Sequence, residues 1–311
     1  MRLPAGYGSR PATKDDLEAM AEVANAYDVV DLGEPDTSVE HLEQSWQGEG
    51  FDERSDTLLV HAGDGSPAAF GLLEVWPDAP IEVFGRVHPA HAGRGLGAGL
   101  LEWSEERARA RAREREVALR LHNGVTATDR AARRLLEDRG YRVVRVFRHM
   151  ERSLEGLGGD PPGSPAGLSL RRAVDDDLEA VRRTMDESLR EHWEWRPRPV
   201  EEWRRHAAAA AFGAVLARDG QEPVGAVTFQ PTARSGWIEE IGVRPAWRGR
   251  GLGEALLRHA FVGLRELGMD VARLNVDADN ATGATRLYER AGMHVRREWL
   301  VHEKAVPVDV S

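Results

Sequence analysis

The spacing of apolar and polar residues along the chain changes several times, and the order of the changes repeats. Runs that alternate with period two predict strands, and longer runs with apolar residues every three or four positions predict helices. The predicted order is a strand, two helices, three strands, a long helix, a strand, a helix and a last strand. It occurs once before residue 154 and again after residue 167. Closely spaced neighbouring strands among the helices indicate an α/β fold with a mixed, mostly antiparallel sheet and flanking helices.

The predicted bounds are similar in the two halves. The main strands of the first half are predicted at 57–61, 68–74, 81–87, 117–121 and 143–148, and those of the second half at 212–218, 224–229, 237–243, 271–276 and 295–301. An amphipathic helix is predicted at 254–267. Thr13 and Asp175 are the predicted caps of the first helix in each half.

Three segment pairs show that the halves are copies of one domain. The segment that begins at Arg10 matches the one that begins at Arg171, and Val87–Gly97 matches Val243–Gly253. The third match joins Leu135–Tyr141 to 287–293, and all three pairs occur in the same order. We therefore predict copy one at 1–153, a Gly- and Pro-rich linker at 154–167 and copy two at 168–311.

The segment that follows the strand at 237–243 has the chemistry of an anion site. Gly251 and Gly253 stand where the chain turns from strand into helix, and glycine lets backbone amides approach a ligand closely. The start of a helix offers unpaired N–H groups and a partial positive charge. Arg248 and Arg250 add guanidinium donors suited to phosphate oxygens.

Arg248-x-x-Gly251-x-Gly253 between a strand and a helix resembles the pyrophosphate-binding motif of the GNAT superfamily of acyl-CoA-dependent N-acyltransferases. The resemblance implies two tandem GNAT domains, with acetyl-CoA as the acyl donor. It also implies that the fourth and fifth strands of each copy splay apart and that the pantetheine arm lies in the gap. The residues implied to bind the donor are Ile241, Gly242, Val243, Arg248, Gly249, Arg250, Gly251, Leu252, Gly253 and Asn280.

A second motif distinguishes the two copies. The segment from Asn280 to Met293 resembles the family signature Asn-x-x-Ala…Leu-Tyr-x-x-x-Gly-Phe, with Met293 in place of the aromatic residue. The resemblance implies that Asn280 caps a helix and that Tyr288 protonates the leaving thiolate. Copy one has Ala92, Thr128 and Leu136 at the positions of Arg248, Asn280 and Tyr288. Copy two is therefore expected to be catalytic and copy one degenerate.

Acyl transfer to an amine also needs a base and a donor to the developing oxyanion. A backbone amide near Gly242 or Val243 is the expected oxyanion donor. The most familiar position of the family's carboxylate base falls on Trp237, so we predict Glu239 as the base, directly or through a water. Period-two alternation places Glu239 on the face of Trp237, Ile241 and Val243, with Glu240 on the other face.

The connection between the first two helices of copy two is the predicted acceptor pocket. His192, Trp193 and Trp195 lie close together there, and small-ligand sites combine apolar walls with a few polar groups. The tryptophans are equally compatible with closing the core, and His192 is an alternative base. No spacing of histidines and carboxylates predicts a metal site.

Composition narrows the classes further. The chain has no cysteine, which excludes disulfides and thiol catalysis. Its net charge of −10 argues against a nucleic-acid partner. The sequence has no long apolar run and no secretory signal, so we expect no membrane partner and a cytoplasmic location.

The expected function is transfer of an acetyl group from acetyl-CoA to a primary amine of a small molecule, by direct attack in a ternary complex. The acceptor stays open between a small metabolite, an aminoglycoside-like antibiotic, a peptide N-terminus and a cysteinyl pseudodisaccharide. The alternative from another class is a sensor that binds acyl-CoA without turnover.

Overall fold

The computed structural model describes residues 1, 3–46, 50–76, 79–157, 163–208, 212–232, 235–280 and 283–308. Its contacts divide the chain into two compact units. Unit one comprises Met1–Val146 and Trp299–Ser311, and unit two comprises Phe147–Glu298. Each unit is described by itself.

Unit one packs helices on a sheet in the order β1, β2, β3, β4, β5, β12. Neighbouring strands are antiparallel except β4 and β5, which are parallel. Its helices are α1 (Leu17–Leu32), α2 (Val39–Ser45), α3 (Glu53–Asp56), α4 (Leu96–Arg115) and α5 (Arg130–Asp138). Its strands are β1 (Tyr7–Arg10), β2 (Thr57–Ala62), β3 (Pro67–Glu74), β4 (Ile81–Val87), β5 (Leu119–Thr126) and the last part of β12 (His294–Val306).

Unit two repeats this plan with the order β6, β11, β10, β9, β8, β7. The one parallel pair among its described ladders is β10 with β11. Its strands are the last part of β6 (Arg142–Ser153), β7 (Leu168–Arg172), β8 (Gly213–Asp219), β9 (Glu222–Pro231), β10 (Gly236–Val243) and β11 (Val271–Asp277). Its helices are α6 (Leu178–Leu189), α7 (Val200–Ala207), α8 (Leu252–Glu266) and α9 (Ala284–Arg290). The sheet is therefore mixed and mostly antiparallel, as predicted.

Each unit takes its last strand from the other copy of the sequence. The end of β6, which belongs to copy one, pairs with all of β11 from Val271 opposite Ser153 to Asp277 opposite Phe147. The end of β12, which belongs to copy two, pairs with β5 in unit one. The boundaries of the sequence copies therefore differ from those of the compact units at these two strands.

The predicted linker at 154–167 lies partly outside the described residues, which omit 158–162. The first residue of this segment was expected to be exposed, but it is buried. Leu154 is fully buried in the core of unit two, and Leu157 packs against the same core. An apolar side chain directly after β6 continues into the core that this strand helps to form.

Two local predictions need correction. The fifth strand begins at Leu119 and not at Val117, because Glu116 ends α4 in a left-handed conformation and leaves Val117 exposed. The residue at the N-cap of α6 is Asp177, and not Asp175. Asp177 accepts hydrogen bonds from Arg171 and from the backbone of Val174, and the Arg171 bond lowers its pKa to about 2.

The same clamp is present in copy one. Arg10 donates to both carboxylate oxygens of Asp16, and Thr13 donates its backbone N–H to the same carboxylate. Thr13 caps a short 3-10 turn, and Asp16 occupies the N-cap of α1. The sequence repeat that begins at Arg10 and Arg171 therefore marks an arginine that fixes the start of a helix.

Helices cover both faces of the sheet in unit two. Phe229 and Ile238 form a core with Phe261 of α8 on one face. Met185 of α6 packs with Leu216 on the other face. The two faces are called the α8 side and the α6 side below.

A buried histidine links three strands of unit one. His122 on β5 has no exposed surface, and its ring nitrogens lie 2.9 Å from Glu82 Oε1 and 2.9 Å from Glu303 Oε2. Burial of the ring favours the neutral form, but the hydrogen bonds to the two carboxylates outweigh it and raise the pKa of His122. In the imidazolium form, each ring nitrogen donates to one of these carboxylates.

This arrangement predicts a pH-dependent stability. A histidine with a raised pKa in the folded state stabilises the fold below its ordinary pKa of about 6.5, and this contribution is lost as the pH rises through the raised value. Thermal unfolding followed between about pH 6 and pH 9 should show a falling Tm for the wild type. The His122→Gln variant should lose that part of the slope, and identical slopes in the two proteins would contradict the assignment.

Candidate active site

A gap opens in the sheet of unit two between β10 and β11. The two parallel strands pair at only two positions, Gly236 with Ala272 and Trp237 with Arg273. Beyond Trp237, β10 keeps its partner β9 while β11 keeps β6. The expected splay is therefore present.

The glycine turn lies at the end of β10 and starts α8. Gly249 and Gly251 have φ values of 76° and 78°, which other residues rarely adopt. Gly251 is the N-cap of the 15-residue α8, and both glycines are exposed and border open space. Gly253 has no left-handed backbone, and a Cβ there would lie 3.4 Å from Leu287 of α9, which is an ordinary packing distance. The turn presents the free amides of a long helix to an open surface.

The two arginines of the motif are placed differently. The Arg248 guanidinium donates to the carbonyl oxygens of Val243 at 3.2 Å and Ser188 at 3.0 Å, so it ties the end of β10 to α6. Its Nη1 lies 3.7 Å from Glu191. Arg250 is exposed and has no side-chain partner among the described residues. Arg250 is therefore the cation of the turn that is available to an anion, while most donors of Arg248 hold the turn together.

The middle of β10 contains a β-bulge. The register with β9 shifts between Ile238 and Glu240, so Glu239 is the extra residue. Ile238 and Ile241 both pack on the α8 side, and both glutamates consequently face the α6 side. The prediction that Glu239 shares a face with Ile241 and Val243 is wrong, because a bulge breaks period-two alternation. The sequence itself contains an indication of this bulge, because two consecutive glutamates between Ile238 and Ile241 interrupt the alternation of apolar and polar residues.

The two glutamates have different partners. Glu239 accepts from Gln230 at 2.8 Å through Oε1, and its Oε2 lies 2.8 Å from His206 Nε2. Glu240 accepts from Arg198 at 3.2 Å through Oε1. Burial, reinforced by the charge of Glu239, raises the pKa of Glu240 against the opposing effect of Arg198. His206, Gln230, Arg198 and Glu240 were not predicted as site residues.

Tyr288 lies on α9 in the core of unit two, on the α8 side of the gap. It is 6% exposed, and its hydroxyl has no hydrogen-bond partner among the described residues. Burial raises the pKa of Tyr288, so the hydroxyl stays protonated at neutral pH.

Asn280 does not cap α9 as expected. The N-cap is Gly283, whose N–H donates to the Asn280 carbonyl oxygen at 3.3 Å, and Ala281 and Thr282 lie outside the described residues.

The predicted acceptor residues lie in the connection between α6 and α7. His192, Trp193 and Trp195 are all half-buried. The ring of Trp193 lies 5.9 Å from that of Phe147, and His192 Nδ1 lies 3.2 Å from the Trp193 carbonyl oxygen. The indole N–H of Trp195 is buried without a hydrogen-bond partner in the described part of the chain. Neither tryptophan belongs to the buried core clusters of the described residues.

Close packing on the α6 side depends on Gly242. A Cβ there would lie 2.8 Å from Ser188 Cβ and 3.0 Å from Met185 Sδ, so α6 contacts the β10 backbone directly. Ile241 and Val243 are half-buried on the α8 side, and Leu252 is fully buried at the start of α8.

Copy one has Arg86 at the position of Gly242. Its side chain is 8% exposed, and its guanidinium lies over the rings of Tyr27 at 4.8 Å and Phe84 at 4.4 Å. Asp28 is 3.9 Å from Arg86 Nε. A buried arginine therefore occupies in unit one the face that carries the glutamates in unit two. The residue aligned with Tyr288, Leu136, is buried in the core.

Two kinds of feature are absent from the described residues. No group of three histidine, aspartate or glutamate side chains there is arranged to hold a metal ion. None of the helices described combines the length and apolar character needed to cross a bilayer.

Comparisons with known proteins agree with this geometry. The family model for the acetyltransferase (GNAT) family matches residues 18–141 and again 178–293. A mycothiol acetyltransferase of Streptomyces avermitilis is 32% identical over 247 residues, which cover 76% of this chain and 75% of that protein. A GCN5-related N-acetyltransferase structure from Sphaerobacter thermophilus is 32% identical, with a TM-score of 0.84 and 98% of each chain covered. A tandem GNAT protein from the clavulanic acid biosynthesis pathway has the same fold at 17% identity, with a TM-score of 0.73 and coverage of 96% and 98%.

The open glycine turn, the splayed strands and these matches define an acyl-CoA-dependent acetyltransferase. The chain belongs to the GNAT family and carries two GNAT domains in tandem. CoA is the carrier of its acyl donor, and the glycine turn of unit two, with free amides and Arg250, fits a diphosphate.

The turn yields a test of donor binding. Gly251→Ala forces a residue with a side chain into a left-handed conformation, at a cost of roughly 1–2 kcal/mol. The turn should relax in the free variant and be restored only when acetyl-CoA binds, so we expect the KM for acetyl-CoA, measured in a free-thiol assay, to rise about tenfold.

Gly95→Ala is the matched control, because Gly95 is the N-cap of α4 with φ 85° in copy one. It should leave the KM for acetyl-CoA unchanged. Equal effects of the two substitutions would contradict the placement of the catalytic donor site in unit two.

Proposed function

We propose that unit two transfers the acetyl group of acetyl-CoA to a primary amine of a small molecule, by direct attack in a ternary complex. The observation that supports the proposal is that β10 and β11 separate after Trp237, with the buried Tyr288 on the α8 side of the sheet and Glu239 and Glu240 on the α6 side. Unit one has Leu136 and Arg86 at the matching places and is degenerate.

The donor is held at its diphosphate by the amides of the glycine turn and by Arg250. The further donor-binding residues are those predicted, Ile241, Gly242, Val243, Arg248, Gly249, Leu252, Gly253 and Asn280. A backbone amide near Gly242 or Val243 stabilises the oxyanion as the amine nitrogen attacks the thioester carbonyl. The C–N bond forms and the C–S bond breaks. The amine proton passes to a carboxylate, and the thiolate takes a proton from Tyr288.

Glu239 is the base in this scheme, and its contact with His206 offers a route for the proton. Glu240 is the second candidate, since burial raises the pKa of its carboxyl group and no hydrogen bond to its Oε2 is found in the described residues. A carboxylate with a raised pKa is a better proton acceptor.

Acceptors of the relatives suggest a second candidate function. Several relatives are mycothiol acetyltransferases, so a mycothiol synthase activity, with a cysteinyl pseudodisaccharide as the acceptor, is the alternative.

The test of the acid is Tyr288→Phe. Loss of a general acid lowers kcat by about 10²-fold or more, while the Kd for acetyl-CoA stays unchanged. Amine-dependent release of free thiol gives kcat, and calorimetry gives the Kd. Tyr141→Phe is the control, because Tyr141 is a buried tyrosine of unit one that is 2% exposed.

Turnover by the Tyr141→Phe variant should equal that of the wild type. Unchanged kcat in Tyr288→Phe would remove the acid assignment. Binding of acetyl-CoA by the wild type without thiol release for any amine would favour the non-catalytic sensor instead.

The test of the base compares Glu239→Gln with Glu240→Gln. The rate of the wild type should rise with pH as the base loses its proton, and the variant that lacks the base should lose this rising limb. We expect the loss in Glu239→Gln, measured as kcat/KM against pH. If Glu240→Gln instead lost the pH dependence of kcat/KM while Glu239→Gln kept it, Glu240 would be the base.

A further inference from the structure

The α6 side of unit two includes side chains that come from the sequence of copy one. On β6, Met150 is buried in the core on the α8 side, and the Arg152 guanidinium lies 4.8 Å over the ring of Phe261 on α8. Side chains alternate along a strand, so Phe147 and His149 face the α6 side. Their positions opposite Asp277 and Asn275 of β11 place them across the gap from β10.

Each of these side chains contacts an aromatic residue of copy two. Phe147 lies 5.9 Å from Trp193, and His149 lies 6.1 Å from Trp237 in an edge-to-face arrangement. We call Phe147, His149, Trp193 and Trp237 the ring wall. All four side chains are half-buried, so part of each ring reaches the surface.

The ring wall lies beside the carboxylates of β10. Trp237 and Glu239 are on the same side of the strand, and Gln230, which donates to Glu239, is opposite Trp237 in the ladder. Partly exposed rings next to a few fixed polar groups are typical of a small-ligand site. The carboxylates attract a protonated amine, and aromatic faces attract C–H groups and cations.

We propose that the ring wall binds a ring that has an apolar face and carries the acceptor amine, and that Phe147 and His149 determine acceptor specificity. This inference rests on the proposed function of unit two. The shared chemistry is a ring with an apolar face, either an aromatic ring or a sugar, placed so that its amine reaches Glu239.

The experiment uses the full chain and three probe amines, phenethylamine, glucosamine and n-hexylamine. Binding is measured by ligand-observed NMR titration, and turnover by release of free thiol. The wild type should bind at least one ring-bearing amine more tightly than n-hexylamine. Phe147→Ala should weaken that binding about tenfold and His149→Ala should weaken it too. The acceptor KM should rise, with kcat and the KM for acetyl-CoA unchanged.

Val144→Ala is the control, because Val144 is on the same strand, belongs to unit one and is 38% exposed. It should leave both binding and KM as in the wild type. Loss of affinity for phenethylamine alone identifies an aromatic acceptor, and loss for glucosamine alone identifies a sugar.

Two results would overturn the inference. One is a wild type that binds n-hexylamine as tightly as both ring-bearing amines, or that binds none of the three. The other is a Phe147→Ala variant with unchanged affinity and acceptor KM. Ring-selective binding that Phe147→Ala abolishes, without thiol release in the wild type, would support the ring wall and count against transfer to these amines by unit two.

Discussion

The structure of unit two depends on one constraint, which is that β10 keeps β9 as a partner but leaves β11 after Trp237. Backbone groups that face the gap lose their ladder partners, and buried unpaired groups are costly. The gap must therefore stay accessible to water or to a ligand that has hydrogen-bonding groups of its own. The bulge at Glu239 increases the local twist of the strand. One irregular strand thus borders the gap and places two carboxylates on the α6 side.

The two copies show how one backbone plan gives a site in one unit and a filled face in the other. Both glycine turns keep their left-handed residues, and both pairs of parallel strands separate after a few positions. The difference lies in single side chains. Gly242 lets α6 contact the strand, whereas Arg86 places a guanidinium among the rings of Tyr27 and Phe84. A buried cation held by aromatic faces and by Asp28 excludes an amine of the same charge from this position.

Most of the fold could be predicted from the sequence, because its signals are local. Strand and helix positions follow from periodicity, and the turn at Gly251 follows from the conformations that glycine allows. The α6-side placement of Glu239 with Glu240 could not be obtained from alternation, since a bulge needs the partner strand to define it. Asn280 matched a family position, but the N-cap depends on the backbone at Gly283.

The exchange of strands was beyond sequence reasoning for a different reason. β6 and β12 are equivalent strands of the two copies. Each copy could pair with its own last strand or with that of the other copy, and both arrangements satisfy the same pattern of apolar residues. The pairing of Val271 with Ser153 joins residues far apart in the chain, and periodicity carries no information about such a choice.

That exchange also gives copy one a structural role in unit two, whatever copy one itself binds. Copy one has Leu136 at the position of Tyr288, and this leucine is buried in the core of unit one. Copy one cannot be deleted without removing the strand that pairs with β11 along its whole length. An unpaired β11 would expose an edge next to the gap, and exposed edges favour aggregation. The fold of unit two therefore depends on copy one through the last strand of that copy.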